Sequence, residues 1–420
     1  HAAVLHRKAS ALQALKQRSL NELGKGLVGG FVHVAIAGGG LLGRLLAWRL
    51  LEAGHRVTLY DAGSLNDSPS AAQAAAGMIS PISEAIDTEP LMYDLGVASL
   101  ALWPKWLQQL AVDTAPVPYA QNGSLIVAHH RDVGLLQQYT QDMQRQLPEA
   151  AQGRSLDKQG IAALESDLGE HFQQGLFLAE EAHIDNRQLL RVLLQRIKKL
   201  GGDCVENTAV DVEPSCVRLL ENNSTVSFDL VMDCRGVGSK PQWQGVRGVR
   251  GEVLRVQTEE VSLQRPVRLL HPRYQLYIVP KANQEFVIGA TQIESEDRSP
   301  VSVQSALELN SALYTLNPAF AEARIIEMQS NLRPALNDNR PQIQYKEGLI
   351  KVNGLYRHGY LLAPVVVQHT LALIDESVAV DSPSAMFAEV LYQPQNDLSQ
   401  GDLSQGNSPK GNLSQENVSC

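Results

Sequence analysis

The chain has 420 residues, 44% of them hydrophobic, and 36 basic against 45 acidic side chains give it a net charge of −9. That length and apolar content supply core for two domains or one large interleaved fold, and the acidic balance argues against nucleic acid or an anionic membrane as the principal partner. No segment reaches the ~18 uninterrupted apolar residues of a membrane span. Four cysteines, Cys204, Cys216, Cys234 and Cys420, lack CxxC or zinc-site spacing and point to reduced thiols in a cytoplasmic protein.

Residues 1–30 are locally basic, and the spacing of Ala11-Leu12, Ala14-Leu15, Leu20 and Leu23 suggests an amphipathic helix. Whether this extension is a tag remnant, a natural addition or a docking helix for a protein partner stays open. Residues 33–63, HVAIAGGGLLGRLLAWRLLEAGHRVTLYDAG, then read as strand, glycine turn, helix and strand, closed by an acid. Gly38, Gly40 and Gly43 fit G-x-G-x-x-G, with Leu42 inside the motif, and Asp61 follows the first glycine by 23 residues, near the expected ~20. The plain reading is a tight strand-to-helix turn. The sharper one is a dinucleotide site: a helix N-terminus faces a pyrophosphate, and the acid accepts from ribose hydroxyls.

SAAQAAAGMISP, residues 70–81, is a run of small side chains around Ala76, Gly77 and Met78. It reads either as a helix packed tightly on a sheet or as a second close approach of backbone to cofactor. A helical pattern over 91–110, a strand over 123–128 and a helix-rich section to about 170 follow. GLFLAEEAHIDNRQLLRVLLQRIKKLGGDCVE returns to strand, then to a helix capped by Asp185 or Asn186 and ended by Gly201-Gly202. SFDLVMDCRGVGS, residues 227–239, is an apolar strand stopping at the glycine pair Gly236 and Gly238.

Residues 250–292 change character to strands, RGEVLRVQ, QLYIVPK and EFVIGATQ, separated by polar turns. A helix from about 302 to 316, the segment NLRPALNDNRPQI, and the strand, glycine turn and helix of LIKVNGLYRHGYLLAPVVVQHTLALI complete the fold. The repetitive polar stretch within 393–420 is too hydrophilic to bury a core and reads as a low-complexity tail.

The expected fold is therefore α/β in two domains of α+β character. A Rossmann-type dinucleotide domain is built from 31–115, 175–249 and 326–378, interleaved with an antiparallel-sheet substrate domain from 116–174 and 250–325. Such interleaving favours FAD over NAD, whose Rossmann unit is more often contiguous.

GGGLLG, AAAGMISP, RGEVL, LYIVPK, VIGAT, LRPALNDNRPQI and GLYRHGYLLAP, in that order, resemble the D-amino acid oxidase superfamily of flavoproteins, and most closely the glycine oxidases. The resemblance runs from about residue 32 to 376. It implies FAD held noncovalently, with hydride passing from a substrate Cα to flavin N5, hydrolysis of the resulting imine to a keto or aldehyde acid, and reoxidation by oxygen or another acceptor. It also implies that Arg357 pairs with a substrate carboxylate, that Tyr277 lines the site, and that Arg333 is a second arginine at the carboxylate end. Gly354 and Gly359 would flank the loop at the flavin pyrimidine edge, followed by Tyr360 and Leu361.

Gln292, where glycine oxidases carry a methionine, makes the pocket more polar, and Tyr356 and His358 join it as pocket candidates; hydride transfer from a neutral amine needs no base. No metal site is expected, since the cofactor carries the chemistry. An arginine fork suits a carboxylate because it binds bidentately and stays charged. The expected activity is oxidation of a small amine or amino acid such as glycine, sarcosine or a D-amino acid. The rivals are an amine carried on a macromolecule and a flavoprotein with a silent site.

Overall fold

The protein is described as a computed structural model covering residues 31–273, 275–374, 387 and 390–394. The extension at 1–30 and the tail from 395 lie outside the described residues.

The apolar strand His33–Ala37 sits in the middle of a seven-stranded sheet in the order Tyr392–Pro394, Gln342–Lys346, Leu349–Asn353, Leu230–Asp233, His33–Ala37, Arg56–Tyr60, Asp203–Val205. Its central pairings are parallel. Parallel strands need crossovers and are covered on both faces, which is why these segments read as continuous apolar runs rather than as an alternation. Val34 and Ile36 bury into the helical side, while the alternate Ala35 and Ala37 pack with Val210, Val212 and Val217. Those valines belong to a three-stranded meander, Val210–Glu213, Cys216–Leu219 and Thr225–Ser227. On the helical side, Leu41–Glu52 packs against Asn186–Lys199 and Gly359–Leu371, and the last of these against Pro90–Leu110. Asp185 is the cap of Asn186–Lys199, accepting from Gln188 N at 2.8 Å.

A second, eight-stranded sheet runs Arg324–Ala335, Arg247–Gln257, Glu285–Gly289, Gln275–Pro280, Val267–Leu270, Ser124–Ala128, Gln174–Leu178, Arg154–Asp157. It is antiparallel apart from the pairing of Val267–Leu270 with Ser124–Ala128. Leu309, Ala312, Leu313 and Leu316 of the helix Val303–Leu316 close one face over Phe286, Ile278 and Ile288. From the opposite face Tyr277, Val279 and Val287 meet Ala76 and Met78 of the small-residue segment.

The interleaved two-sheet architecture agrees with the sequence reading, but three boundaries move. Gln174–Leu178 and Arg324–Ala335 belong to the eight-stranded sheet and not to the dinucleotide part, because each finds its ladder there. Tyr392–Pro394 pairs with Ile343, Gln344 and Tyr345, so the first sheet runs past 378 into the stretch read as tail from 393. Strand character is local; the choice of partner is not.

Candidate functional site

A cavity of about 1260 Å³ lies between the two sheets, running from the glycine turn at Gly38 and Gly40 to the start of the helix Gly359–Leu371. The glycines at its first end do different jobs. Gly38 has φ +103°, and a Cβ there would stand 2.5 Å from the Cys234 carbonyl oxygen; one on Gly43 would stand 1.9 Å from the Gly38 carbonyl oxygen. Both are demanded by packing, and Gly43 does not line the cavity. A Cβ on Gly40 would find only Ser70 Cβ, at 3.9 Å. The space beside Gly40 is thus kept clear for something other than protein. No side chain caps the helix Leu41–Glu52, so first-turn N–H groups open onto the cavity at Gly40, Leu41 and Leu42.

Asp61 lines the cavity and braces this turn, accepting from Gly39 N at 2.7 Å and from Gly63 N at 2.8 Å. A carboxylate offers about four acceptor sites, so two remain for a ribose. Arg44, which the sequence reading passed over, holds the turn from behind: its guanidinium is buried and donates to the carbonyls of Gly39 (2.6 Å), Leu190 (2.7 Å) and Leu65. Its one sequence signal is a charge set in an otherwise apolar helix face directly after Gly43.

Ala76, Gly77, Met78 and Gly236 also line the cavity. Gly77 has φ +73° and would clash with the Ile184 carbonyl oxygen at 2.3 Å, so backbone crossing alone requires it. Gly354 departs from expectation. It does not reach the cavity wall, and its φ of +83° and a clash of 2.6 Å with the Arg340 carbonyl oxygen make it a turn glycine. Gly359, Tyr360 and Leu361 do line the wall, at the N-terminus of a helix that no side chain caps, and nothing lies within 4 Å of where a Gly359 Cβ would be. The Tyr360 hydroxyl is turned away to the Ala72 carbonyl oxygen at 3.0 Å.

The far end of the cavity is rich in charge. Tyr277 stands opposite Gly289 in the strand ladder, and a Cβ there would come within 2.7 Å of its hydroxyl, so the ring lies across that glycine. Burial raises the phenol pKa, against the lowering effect of Arg333, Arg268 and Arg357. The Arg333 guanidinium lies in the same way over Gly251, 2.5 to 2.7 Å from a Cβ built there. Its Nη1 and Nη2 each donate to the Thr291 carbonyl oxygen at 3.1 Å, and among the described residues it has no carboxylate partner.

Arg357 is different from expectation. Nε is 2.7 Å from Glu84 Oε2, Nη2 is 2.6 Å from Asp87 Oδ2, and Nη1 is 3.4 Å from the Gln292 side-chain oxygen. Its fork is already filled by acids of this chain, which corrects its reading as the carboxylate clamp. Arg268, also missed from the sequence, meets Glu84 at 2.7 Å, and His358 Nδ1 lies 3.1 Å from Glu84 Oε2. Burial opposes ionisation of Glu84, but Arg357, Arg268 and His358 outweigh it and hold its pKa well below the usual carboxylate range. Tyr356, with φ +50°, is buried against Val249 and Ala335 and also lines the cavity. Glu84 and Asp87 both belong to the helix Pro81–Asp87, and nothing in PISEAID announces that its acids face arginines 181 to 273 residues away.

Two uncapped helix N-termini at the two ends of one elongated cavity, with an acid beside one and small residues between, fit an FAD: pyrophosphate at the first, the electron-accepting ring edge at the second. Fold and site together define a flavin-dependent oxidoreductase with an interleaved dinucleotide domain. Residues 33–373 match the family model described as FAD dependent oxidoreductase (DAO), and the chain belongs to that family.

A protein of Rhizobium etli that carries the name thiamine biosynthesis oxidoreductase ThiO is 38% identical over 339 residues, 80% of this chain and 94% of its own. A glycine oxidase of Geobacillus kaustophilus is 27% identical over 349 residues, 79% of this chain and 90% of its own. The crystal structure of glycine oxidase from the same organism superposes with a TM-score of 0.71 at 24% identity, covering 82% of this chain and 94% of that one, a likeness of fold. The chain is an FAD-dependent oxidoreductase of the glycine oxidase and ThiO type. Among the described residues no helix is long and apolar enough to cross a membrane, and no group of metal-ligating side chains is assembled.

Proposed function

We propose that the chain oxidises glycine, or an amino acid nearly as small, at the Arg333 and Tyr277 end of the cavity. The observation that carries this is the Arg333 guanidinium: it faces the cavity and, among the described residues, is held by carbonyl oxygens with no acid to neutralise it. A substrate carboxylate supplies the missing charge, and the Tyr277 hydroxyl is the neighbouring donor. FAD, when bound, supplies the acceptor for the hydride that leaves the substrate Cα. The protein's part is to orient that Cα–H, to keep water out between the sheets, and to place the N–H groups of Gly359, Tyr360 and Leu361 where negative charge gathers on reduction. The imine released takes up water to give the oxo acid and ammonia. The names of the relatives, glycine oxidase and ThiO, favour glycine over larger amino acids.

The test is anaerobic mixing of the FAD-loaded protein with glycine, sarcosine and D-alanine, following the flavin absorbance band. Glycine should bleach it in the wild type and not in Arg333→Met. A band that no member of the panel bleaches would refute the proposal.

A further inference from the structure

Besides Arg333 the cavity wall carries Arg268 and Arg357, both already answered by acids; Arg235 is paired with Asp233, and Arg273 and Arg298 are exposed members of the lining. Glu84 gives one oxygen to each: Oε1 to Arg268 Nη2 and Oε2 to Arg357 Nε, both at 2.7 Å. Asp87 Oδ2 lies 2.6 Å from Arg357 Nη2 and 3.7 Å from Arg268 Nη1. All four side chains line the cavity, and Thr291 and Gln292, adjacent in sequence, touch Arg333 and Arg357 in turn. Behind them Glu181 is turned to Ser83 N and the Ser124 hydroxyl and forms no ion pair with either arginine.

A vacant Arg357 fork would be a second carboxylate site beside the first, because a planar guanidinium takes a carboxylate bidentately. We propose that Glu84 and Asp87 set substrate specificity: they fill from within the places a second substrate carboxylate would take, so that monocarboxylic amino acids are accepted and dicarboxylic ones refused. The inference rests on Arg333 as the single carboxylate anchor. A second carboxylate entering this site finds the guanidiniums of Arg268 and Arg357 already paired with Glu84 and Asp87, so it must displace an internal acid or stay unpaired there, which is selection by occupied partners.

The test uses the FAD-loaded full chain and two readouts. The first is binding of acetate and of malonate, which carry no oxidisable amine, followed by perturbation of the flavin spectrum; the second is kcat/KM for glycine and for iminodiacetate. The wild type should favour the monocarboxylate in both. Asp87→Asn and Glu84→Gln should each shift the ratio toward the dicarboxylate on the order of ten-fold, the effect of removing one like charge from a partly buried site. Asp87→Glu, which keeps the charge, should retain the wild-type ratio, whereas a purely structural role would leave the ratio alone in every variant.

If Glu84→Gln fails to fold, Asp87→Asn decides alone, because Glu84 still holds both arginines there. An unchanged ratio in a folded, FAD-loaded Asp87→Asn protein overturns the proposal, as does malonate binding to the wild type as tightly as acetate. A malonate-to-acetate shift without any glycine reduction would sink the glycine assignment and leave this inference standing. Glycine reduction with a fixed ratio would do the reverse.

Discussion

Gly251→Ala is a perturbation of one methyl group whose effect on the site can be worked from the geometry. The new Cβ would stand 2.5 Å from Arg333 Cζ and Nη2 and 2.7 Å from Nη1. Ordinary contact between heavy atoms is ~3.5–4.0 Å, so the guanidinium has to retreat by about 1 Å. It is the end of a flexible side chain, so the shift is absorbed there and the melting temperature should barely change. The carboxylate, however, moves with its anchor. A misplacement of about 1 Å costs on the order of 10²-fold in rate, which corresponds to ~2.7 kcal/mol of transition-state stabilisation. The assay is rapid-mixing anaerobic flavin reduction by glycine, with melting temperature and FAD content measured on the same preparation. Undiminished kcat/KM in Gly251→Ala, alongside an inactive Arg333→Met, would show that the position of Arg333 over Gly251 is not what orients the substrate.

Two glycines of one motif should fail in different ways. Gly40→Ala adds a methyl group where the protein offers only Ser70 Cβ at 3.9 Å, so the apoprotein should keep its stability while FAD affinity falls at least about ten-fold in a fluorescence titration. Gly43→Ala pushes into the Gly38 carbonyl oxygen, 1.9 Å away, and should lower apoprotein stability by ~1–3 kcal/mol, the usual cost of overpacking. The reverse pattern would contradict the assignment of Gly40 to the cofactor and Gly43 to the fold. Lys281 gives a pH signature. Burial lowers its ammonium to about 7, and Nζ donates to the carbonyls of Ala76 (2.6 Å) and Ile184 (2.8 Å).

Below about pH 7 both folded and unfolded chains bind that proton; between there and the unfolded value of ~10.4 only the unfolded chain does, so this residue makes stability rise with pH across the interval. Urea unfolding at pH 7 and pH 10 should show a wild-type gain, relative to Lys281→Met, of up to ~4 kcal/mol. Identical pH slopes for the two proteins would show that Lys281 is not held in its lowered state.

Much of the dinucleotide half was legible because its signals are local. A strand, a glycine turn, a helix and a second strand follow one another within residues 33–63, and the need for Gly43 is met inside that unit by the Gly38 carbonyl, although Gly38 itself answers to Cys234 far along the chain. Apolar runs likewise marked the buried strands, since covering both faces of a parallel sheet leaves no polar alternation to read. The repeated change between helical and strand character also disclosed that the two domains interleave.

What the tertiary structure decided was pairing. Most of Arg324–Ala335 was assigned with 326–378 to the dinucleotide part, and it pairs instead in the other sheet, because its ladder partner lies far back in the chain. Arg357 and Arg333 looked alike in sequence, each an arginine in a turn with glycine or proline beside it. They differ only in what folding brings to them: Glu84 and Asp87 for the one, backbone carbonyls and open cavity for the other. Charge compensation depends on distance through space over a few ångströms, and separations along the chain carry almost none of that information. The sequence by itself therefore determined the cofactor class and the turn that receives it, while the three-dimensional neighbours determined which arginine is left to hold a substrate.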